Sequence, residues 1–499
     1  MNYMGMDIGT TGCKAVVFDG SGKVVSSAYR EYPLLNPEPG FSELDPGLVM
    51  EKCFEVIREA AAKSDSLIAA LGISSQGEAF TALDSQGNHL CRAMVSSDSR
   101  ASGIIDEWVR AFGLERLYQI TGHAPHPMFS LFKLLWLREN RKDIWGKVHK
   151  FMFFEDLLQY RLGVEVPAMA YSLAGRSLLF DVRKHCWSRE ILEDAGLDEQ
   201  NFSLPLPPGA KAGHVRPDIA KSLNLGKETL VVTGGHDQTC AALGTGAVAP
   251  GEAMYATGTV DCICPVIGAP VFSRALLENN LCMYDYSLPG VYTTVAFSLT
   301  GGNILKWFRD NFAEKELNAA SVSGISAYEL ILKGMPSKPS ELMVLPYFTP
   351  SGTPYFDVRT PGAILGLRLN TTRMEILKAL LEGVAMEMRL NLDILQQSGI
   401  GISSLRTTGG ASQSRILNQM KADVINKPIQ CLDISEGGCM GVALLAAAAF
   451  NEDPVSGLAG NWCKFKYVAE PDPGRAEIYG HKFEQYKKIY PAIRDIYSS

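Results

Sequence analysis

The 499-residue sequence predicts an α/β protein of two lobes built on one plan, each a mixed β-sheet flanked by helices, with a cleft between them. Three observations predict it. The chain opens with an apolar run, Tyr3 to Met6, ending in Asp7; the loop Gly9-Thr10-Thr11-Gly12 and a strand from Cys13 to Phe18 follow. The same grammar returns halfway, as Ala253 to Ala256, the loop Thr257-Gly258-Thr259 and a strand from Val260 to Val266. Between the two copies Gly244, Gly246, Pro250 and Gly251 cluster, which divides the chain into lobes of residues 1–246 and 247–499.

The elements follow in order. Asp19-Gly20-Ser21-Gly22 turns the chain into a strand from Lys23 to Tyr29. Asp45-Pro46 supplies an N-cap and a first-turn proline for a helix to about Ala62. Ile68 to Ser74 reads as a buried strand, and a shorter strand ending near Val95 carries Asp98 and Arg100 into a loop. Ser102 to Leu204 is patterned mostly as helix. Leu230 to Thr233 is a strand ending in Gly234-Gly235-His236-Asp237-Gln238, where a helix begins. In the second lobe a helix from Thr372 to Gln397 precedes a strand near Leu405, the loop Gly409-Gly410-Ala411 and a helix from Ser412 to Val424.

Composition narrows the function. With 47 Lys plus Arg against 54 Asp plus Glu, the net charge of −7 gives no field to hold nucleic acid or an anionic membrane. Eleven cysteines without a Cys-x-x-Cys pair read as reduced thiols. The start lacks a basic region and an apolar run suited to secretion, and the longest apolar stretch, Gly441 to Phe450, is half the roughly 20 residues a bilayer needs. A cytoplasmic protein with small-molecule partners is expected.

Phosphate oxygens need converging backbone N–H groups and short hydroxyls, which only glycine-rich turns bring close enough. Both glycine-threonine loops meet that demand and, facing one another, would clamp a polyphosphate. No Walker A pattern or Gly-x-Gly-x-x-Gly fingerprint competes. Asp7 is placed to hold Mg2+ through water, and Lys14 to offset phosphate charge. Asp237, at a strand end, suits a proton acceptor in phosphoryl transfer; a helix N-cap has the same pattern. Gln76, Glu78, Asp98 and Arg100 form a polar set fit for a polyol. His123 and His126 lack a nearby carboxylate and read as loop structure, whereas His236 suits either a substrate contact or a packed core position.

These segments, with Met128 to Asn140 and Gly362 to Leu367 leading through Glu375-Ile376 to Leu381-Glu382, resemble the FGGY carbohydrate kinases over nearly the whole chain. The resemblance implies two actin-like (ribonuclease H-like) lobes and ATP-dependent phosphorylation of a small sugar on a primary hydroxyl. A ketopentose such as xylulose comes first, with L-fuculose, ribulose, erythritol or a glycerol-like polyol behind. It implies ATP and Mg2+ as cofactors and is compatible with a homodimer. By similarity Asp7, Thr10, Thr11 and Lys14 fall on the first phosphate loop and Thr257, Gly258 and Thr259 on the second. Gly302, Lys306, Gly410 and Ser414 fall on nucleotide-contacting positions, Asp237 on the catalytic base, and Glu78 and Gln238 on polyol contacts, with Gln76 in the same loop. The chain departs from glycerol kinases at Gly77, where they carry arginine, and at Met128, where they carry tyrosine; an aromatic usual before the Asp-x-Arg turn is absent. A non-catalytic actin-like ATPase is the rival; the polar set with Asp237 argues against it.

Overall fold

The computed structural model describes residues 1–432 and 436–497, leaving aside the side chain of Ala411. Two six-stranded mixed sheets organise the chain. The first runs in the order Lys211–His214, Leu230–His236, Ile68–Ser75, Asn2–Ile8, Gly12–Asp19 and Val24–Glu31. The second runs Phe465–Ala469, Ile429–Leu432, Ser404–Thr408, Glu252–Thr257, Asp261–Pro265 and Ala296–Ser298. In both, an antiparallel edge strand is followed by three mutually parallel strands and then two antiparallel ones. The shared plan inferred from the two strand-loop-strand units is therefore present strand for strand.

Local chemistry sets the helix ends. The Asp45 carboxylate accepts from the N–H groups of Gly47 and Leu48 and starts the helix Pro46–Ala62. Thr372 and Glu375 form a reciprocal capping box at the head of the 25-residue helix Arg373–Gln397. The segment patterned as helical also contains the strand Lys150–Phe153, which joins Glu43–Leu44, Ala93–Met94 and Phe80–Leu83 in a small sheet. Phe151 and Phe153 are fully buried there, so apolar residues on both faces hid the alternation that marks a half-exposed strand.

Packing crosses the boundary between the two halves. Helix Gly437–Asn451 lies on the first sheet, and the contact is backbone to backbone: a Cβ on Gly5 would stand 1.8 Å from Cys439 O, and one on Gly72 2.2 Å from Val442 O. The same helix meets Asp237–Gly244, where a Cβ on Gly244 would stand 1.9 Å from Gly437 O. The apolar run Gly441 to Phe450 is thus largely core. No described helix is long and apolar enough to cross a membrane. A second bridge is the hydrogen bond from Met283 N to Gly122 O at 2.7 Å, which seats Tyr284 in the core of the first half.

Candidate active site

Parallel strands deliver their loops to one end of the first sheet. Asp7, Ser74 and Gly235 lie side by side in register, and Gln76 and Asp237 follow where the strands stop. The strand before Asp237 carries a bulge: Thr233 pairs with Ile73 and Gly235 with Ser74, so Gly234 has no place in the ladder. A Cβ on Gly234 would stand 2.0 Å from Ile73 O, so only glycine fits. Its N–H donates instead to Glu155 Oε1 at 2.8 Å, while Glu155 Oε2 accepts from Ala170 N at 3.0 Å. Burial pushes the Glu155 carboxyl up to about 8.

The cap of helix Asp237–Gly244 is His236, which makes no side-chain cap bond, and Asp237 is the first residue of the helix, its carboxylate beside the Gln238 N–H. It faces a cavity of about 370 Å³ whose wall includes Thr10 of the first loop, Gln76, Glu78, Gln238 and Val260 after the second loop. Among the described residues Asp237 Oδ1 has no hydrogen-bond partner; His236 Nε2 lies 3.2 Å away. Burial first, then the negative charges of Asp7 and Glu78, push the Asp237 carboxyl up to about 7. Asp7 is raised as well, mainly by burial, and accepts a hydrogen bond from Ser74 at 2.7 Å. The His236 ring is held by Tyr284, whose hydroxyl lies 2.9 Å from Nδ1, and is kept neutral by burial and by Arg176.

The polyol set divides. Glu78 is in the wall, in left-handed backbone (φ 61°), and accepts from Arg176 Nε at 2.6 Å. Arg176 lies 98 residues away in sequence, and nothing local announced it. Gly77 explains the departure from an arginine at that position: a Cβ there would stand 2.9 Å from His236 Cδ2 and 3.4 Å from Arg176 Cγ. The guanidinium that meets Glu78 is instead that of Arg176. Gln76 lines the cavity but spends its amide on the first loop, accepting from Thr10 Oγ1 at 3.1 Å and donating to Gly9 O at 3.0 Å. Gln238 also lines it, its Oε1 accepting from Cys262 Sγ at 3.3 Å.

Asp98 and Arg100 are a correction. They do not line the cavity: Arg100 is clasped between Phe41, 3.7 Å from the ring centre, and Trp136, at 5.0 Å, and forms ion pairs with Asp98 and Glu43. Asp98 also accepts from Ser42 N at 2.8 Å. An Asp-x-Arg turn closes on itself as readily as it reaches a ligand, and two aromatic faces made the closed form stable. Ser96, just before the turn, is part of the cavity wall.

The residues matched to the nucleotide lie around the loops. Thr11, Gly258 and Thr259 are exposed, whereas Thr257 is buried and accepts from Lys421 Nζ at 3.1 Å. Gly302 N donates to Gly258 O at 2.8 Å, which seats the second loop on the helix Gly302–Phe312, where Lys306 is exposed. Gly410 is exposed at the start of a 3-10 turn, and the Ser414 hydroxyl is occupied as the N-cap of helix Arg415–Ile425. Lys14 pairs with Glu436 across the two halves at 2.7 Å.

His123 and His126, read as loop structure, line the cavity with His236. His123 Nδ1 donates to Thr121 O at 2.7 Å, and its Nε2 is buried with no hydrogen-bond partner among the described residues. Burial pushes its pKa down to about 3, so the ring is neutral. The signal was hidden because its anchor is a backbone carbonyl two residues away rather than a carboxylate.

A duplicated strand-loop-strand plan, with a buried carboxylate at a strand end in a cavity lined by both halves, gives a two-domain α/β fold of mixed sheets flanked by helices. The chain belongs to the FGGY family of carbohydrate kinases: the model of the family's N-terminal domain matches residues 2–244 and that of its C-terminal domain residues 253–450. It is 28% identical to a xylulose kinase of Staphylococcus epidermidis, covering 98% of this chain and 96% of that protein. It is 31% identical to a glycerol kinase of Saccharolobus islandicus over 89% of this chain and 87% of the other. The crystal structure of gluconate kinase from Lactobacillus acidophilus superposes with a TM-score of 0.91 at 23% identity, covering 100% of this chain and 99% of that one. The protein is an ATP-using sugar kinase.

Proposed function

We propose that the protein phosphorylates a primary hydroxyl of an uncharged ketopentose, xylulose first. The observation that carries this reading is the charge balance of the cavity. Among the described residues its one lining guanidinium, Arg176, is paired with Glu78, and its three imidazoles are held neutral by burial. A sugar acid would enter with a carboxylate and find no free cation, at a cost for a buried unpaired charge of several kcal/mol. The similarity to a xylulose kinase along nearly the whole chain points the same way.

In this reading Asp237 takes the proton of the sugar hydroxyl as its oxygen attacks the terminal phosphorus of ATP in line, and ADP departs. The exposed backbone of the two loops cradles the phosphates, and the sugar lies against Glu78, Gln238 and the histidines. The donor set around Asp7 fits magnesium. The Asp7 carboxylate is a hard oxygen donor at the strand end before the first loop, held by Ser74 at 2.7 Å. That suits an ion that keeps waters and shares phosphate oxygens. Asp7 would hold it, and when bound it supplies positive charge to the β- and γ-phosphates.

The test is ADP release from ATP with xylulose, ribulose, L-fuculose, erythritol, glycerol and gluconate. Xylulose is expected to give the highest kcat/KM; gluconate in first place would overturn the reading. The same assay gives the pH dependence. The base must be ionised, so kcat/KM is expected to rise with pH to a plateau above about 7. Below that it should fall about tenfold per pH unit for a single essential base. A profile flat down to pH about 5 would separate Asp237 from that proton.

A further inference from the structure

Two cavity side chains have their hydrogen-bonding sense set from behind. Met128 N donates to His126 Nδ1 at 3.2 Å, so that nitrogen is the acceptor of the neutral ring and the proton sits on Nε2. Burial, then the charges of Arg176 and Lys133, push the His126 pKa down to about 4, which keeps this tautomer at neutral pH. Asn280 comes from the other half of the chain. Its Nδ2 donates to Pro354 O at 2.8 Å, and a carbonyl only accepts, so the amide cannot be flipped and Oδ1 is left as an acceptor.

Both residues line the cavity and both are part-exposed. Neither His126 Nε2 nor Asn280 Oδ1 has a protein hydrogen-bond partner among the described residues. Beside them the wall is apolar: the His126 ring lies 5.0 Å from that of Phe356, which packs edge-on at 5.5 Å against Phe297. A fixed donor and a fixed acceptor over aromatic faces suit the hydroxyls and the C–H face of a sugar.

We propose that His126 and Asn280 are the specificity-determining clamp of the sugar site, one from each half of the chain. They read two oxygens of an uncharged sugar other than the hydroxyl presented to Asp237. The proposal rests on the cavity being the sugar site. A hydroxyl can donate to Asn280 Oδ1 and another oxygen can accept from His126 Nε2, whereas a carboxylate at the Asn280 end would meet a second acceptor and leave both unpaired.

The experiment compares His126→Ala and Asn280→Ala with the wild type in kcat/KM for the sugar panel and in KM for ATP. Each variant is expected to lose at least about tenfold in kcat/KM on the best sugar. ATP KM should stay unchanged, and a sugar lacking the recognised hydroxyl should be used equally by wild type and variant. His126→Gln keeps an N–H donor and is expected to recover most of the loss, which a merely structural role would not predict. An active wild type with both alanine variants unchanged in kcat/KM and in sugar ranking would overturn the clamp alone. A wild type that phosphorylates none of the sugars would take the clamp down together with the sugar reading.

Discussion

Replacing Asp237 with alanine will abolish sugar phosphorylation, lowering kcat by roughly 100- to 10,000-fold, the usual range for loss of a general base, while nucleotide binding stays nearly intact. The expectation rests on what the carboxylate is not doing. Among the described residues its Oδ1 has no hydrogen-bond partner, and burial with the charges of Asp7 and Glu78 holds its pKa near 7. A group kept in that state is costly to the fold. The folded carboxyl holds its proton up to about 7 while the unfolded one loses it near 3.8. The protonated form therefore supports stability at low pH, and that support is lost as pH rises through about 7. Asp237→Asn should thus be as stable as the wild type or more so above neutrality, yet inactive. Thermal melting and ADP release on the same sample separate the two effects. Activity within about tenfold of the wild type would remove Asp237 from the role of base.

The parts of the site that were legible before the fold were those whose chemistry is local. A glycine-threonine loop between two strands and a carboxylate after a strand announce themselves within six residues, as Asp7 to Gly12 and Gly234 to Asp237 do. What stayed hidden depends on partners distant in sequence. Arg176 meets Glu78 across 98 residues, and Glu155 closes the Gly234 bulge across 79. Gln76, expected to meet a polyol, lies in the cavity wall with its amide bonded to Gly9 and Thr10, because the sequence of a loop does not say which side its polar groups serve. The halves of the chain were also legible as two sheets, but not as packing units: the glycines that let helix Gly437–Asn451 onto the first sheet resemble any others until the backbone contact is seen.

The second large effect is expected at Lys421, which no motif singled out. Its Nζ, buried in the second half, lies 2.7 Å from Asp261 Oδ2 and 3.1 Å from Thr257 Oγ1, over the face of Tyr255 at 4.3 Å. Tyr255 donates to the same Asp261 oxygen at 2.9 Å, and Asp261 Oδ1 has no hydrogen-bond partner among the described residues. Lys421 is therefore both the counter-charge of a buried carboxylate and the anchor of the loop Thr257-Gly258-Thr259. Lys421→Met leaves Asp261 uncompensated, and losing one partner of a buried pair costs about 3–5 kcal/mol. Lys421→Met with Asp261→Asn removes both charges and should recover most of the stability. The double variant still lacks the bond to Thr257, so its KM for ATP should remain raised while its KM for the sugar is unchanged. Thermal melting with two-substrate kinetics checks both halves. A double variant with wild-type ATP KM would show that Lys421 balances charge but does not shape the loop, and a single variant as stable as the wild type would show that Asp261 finds another partner.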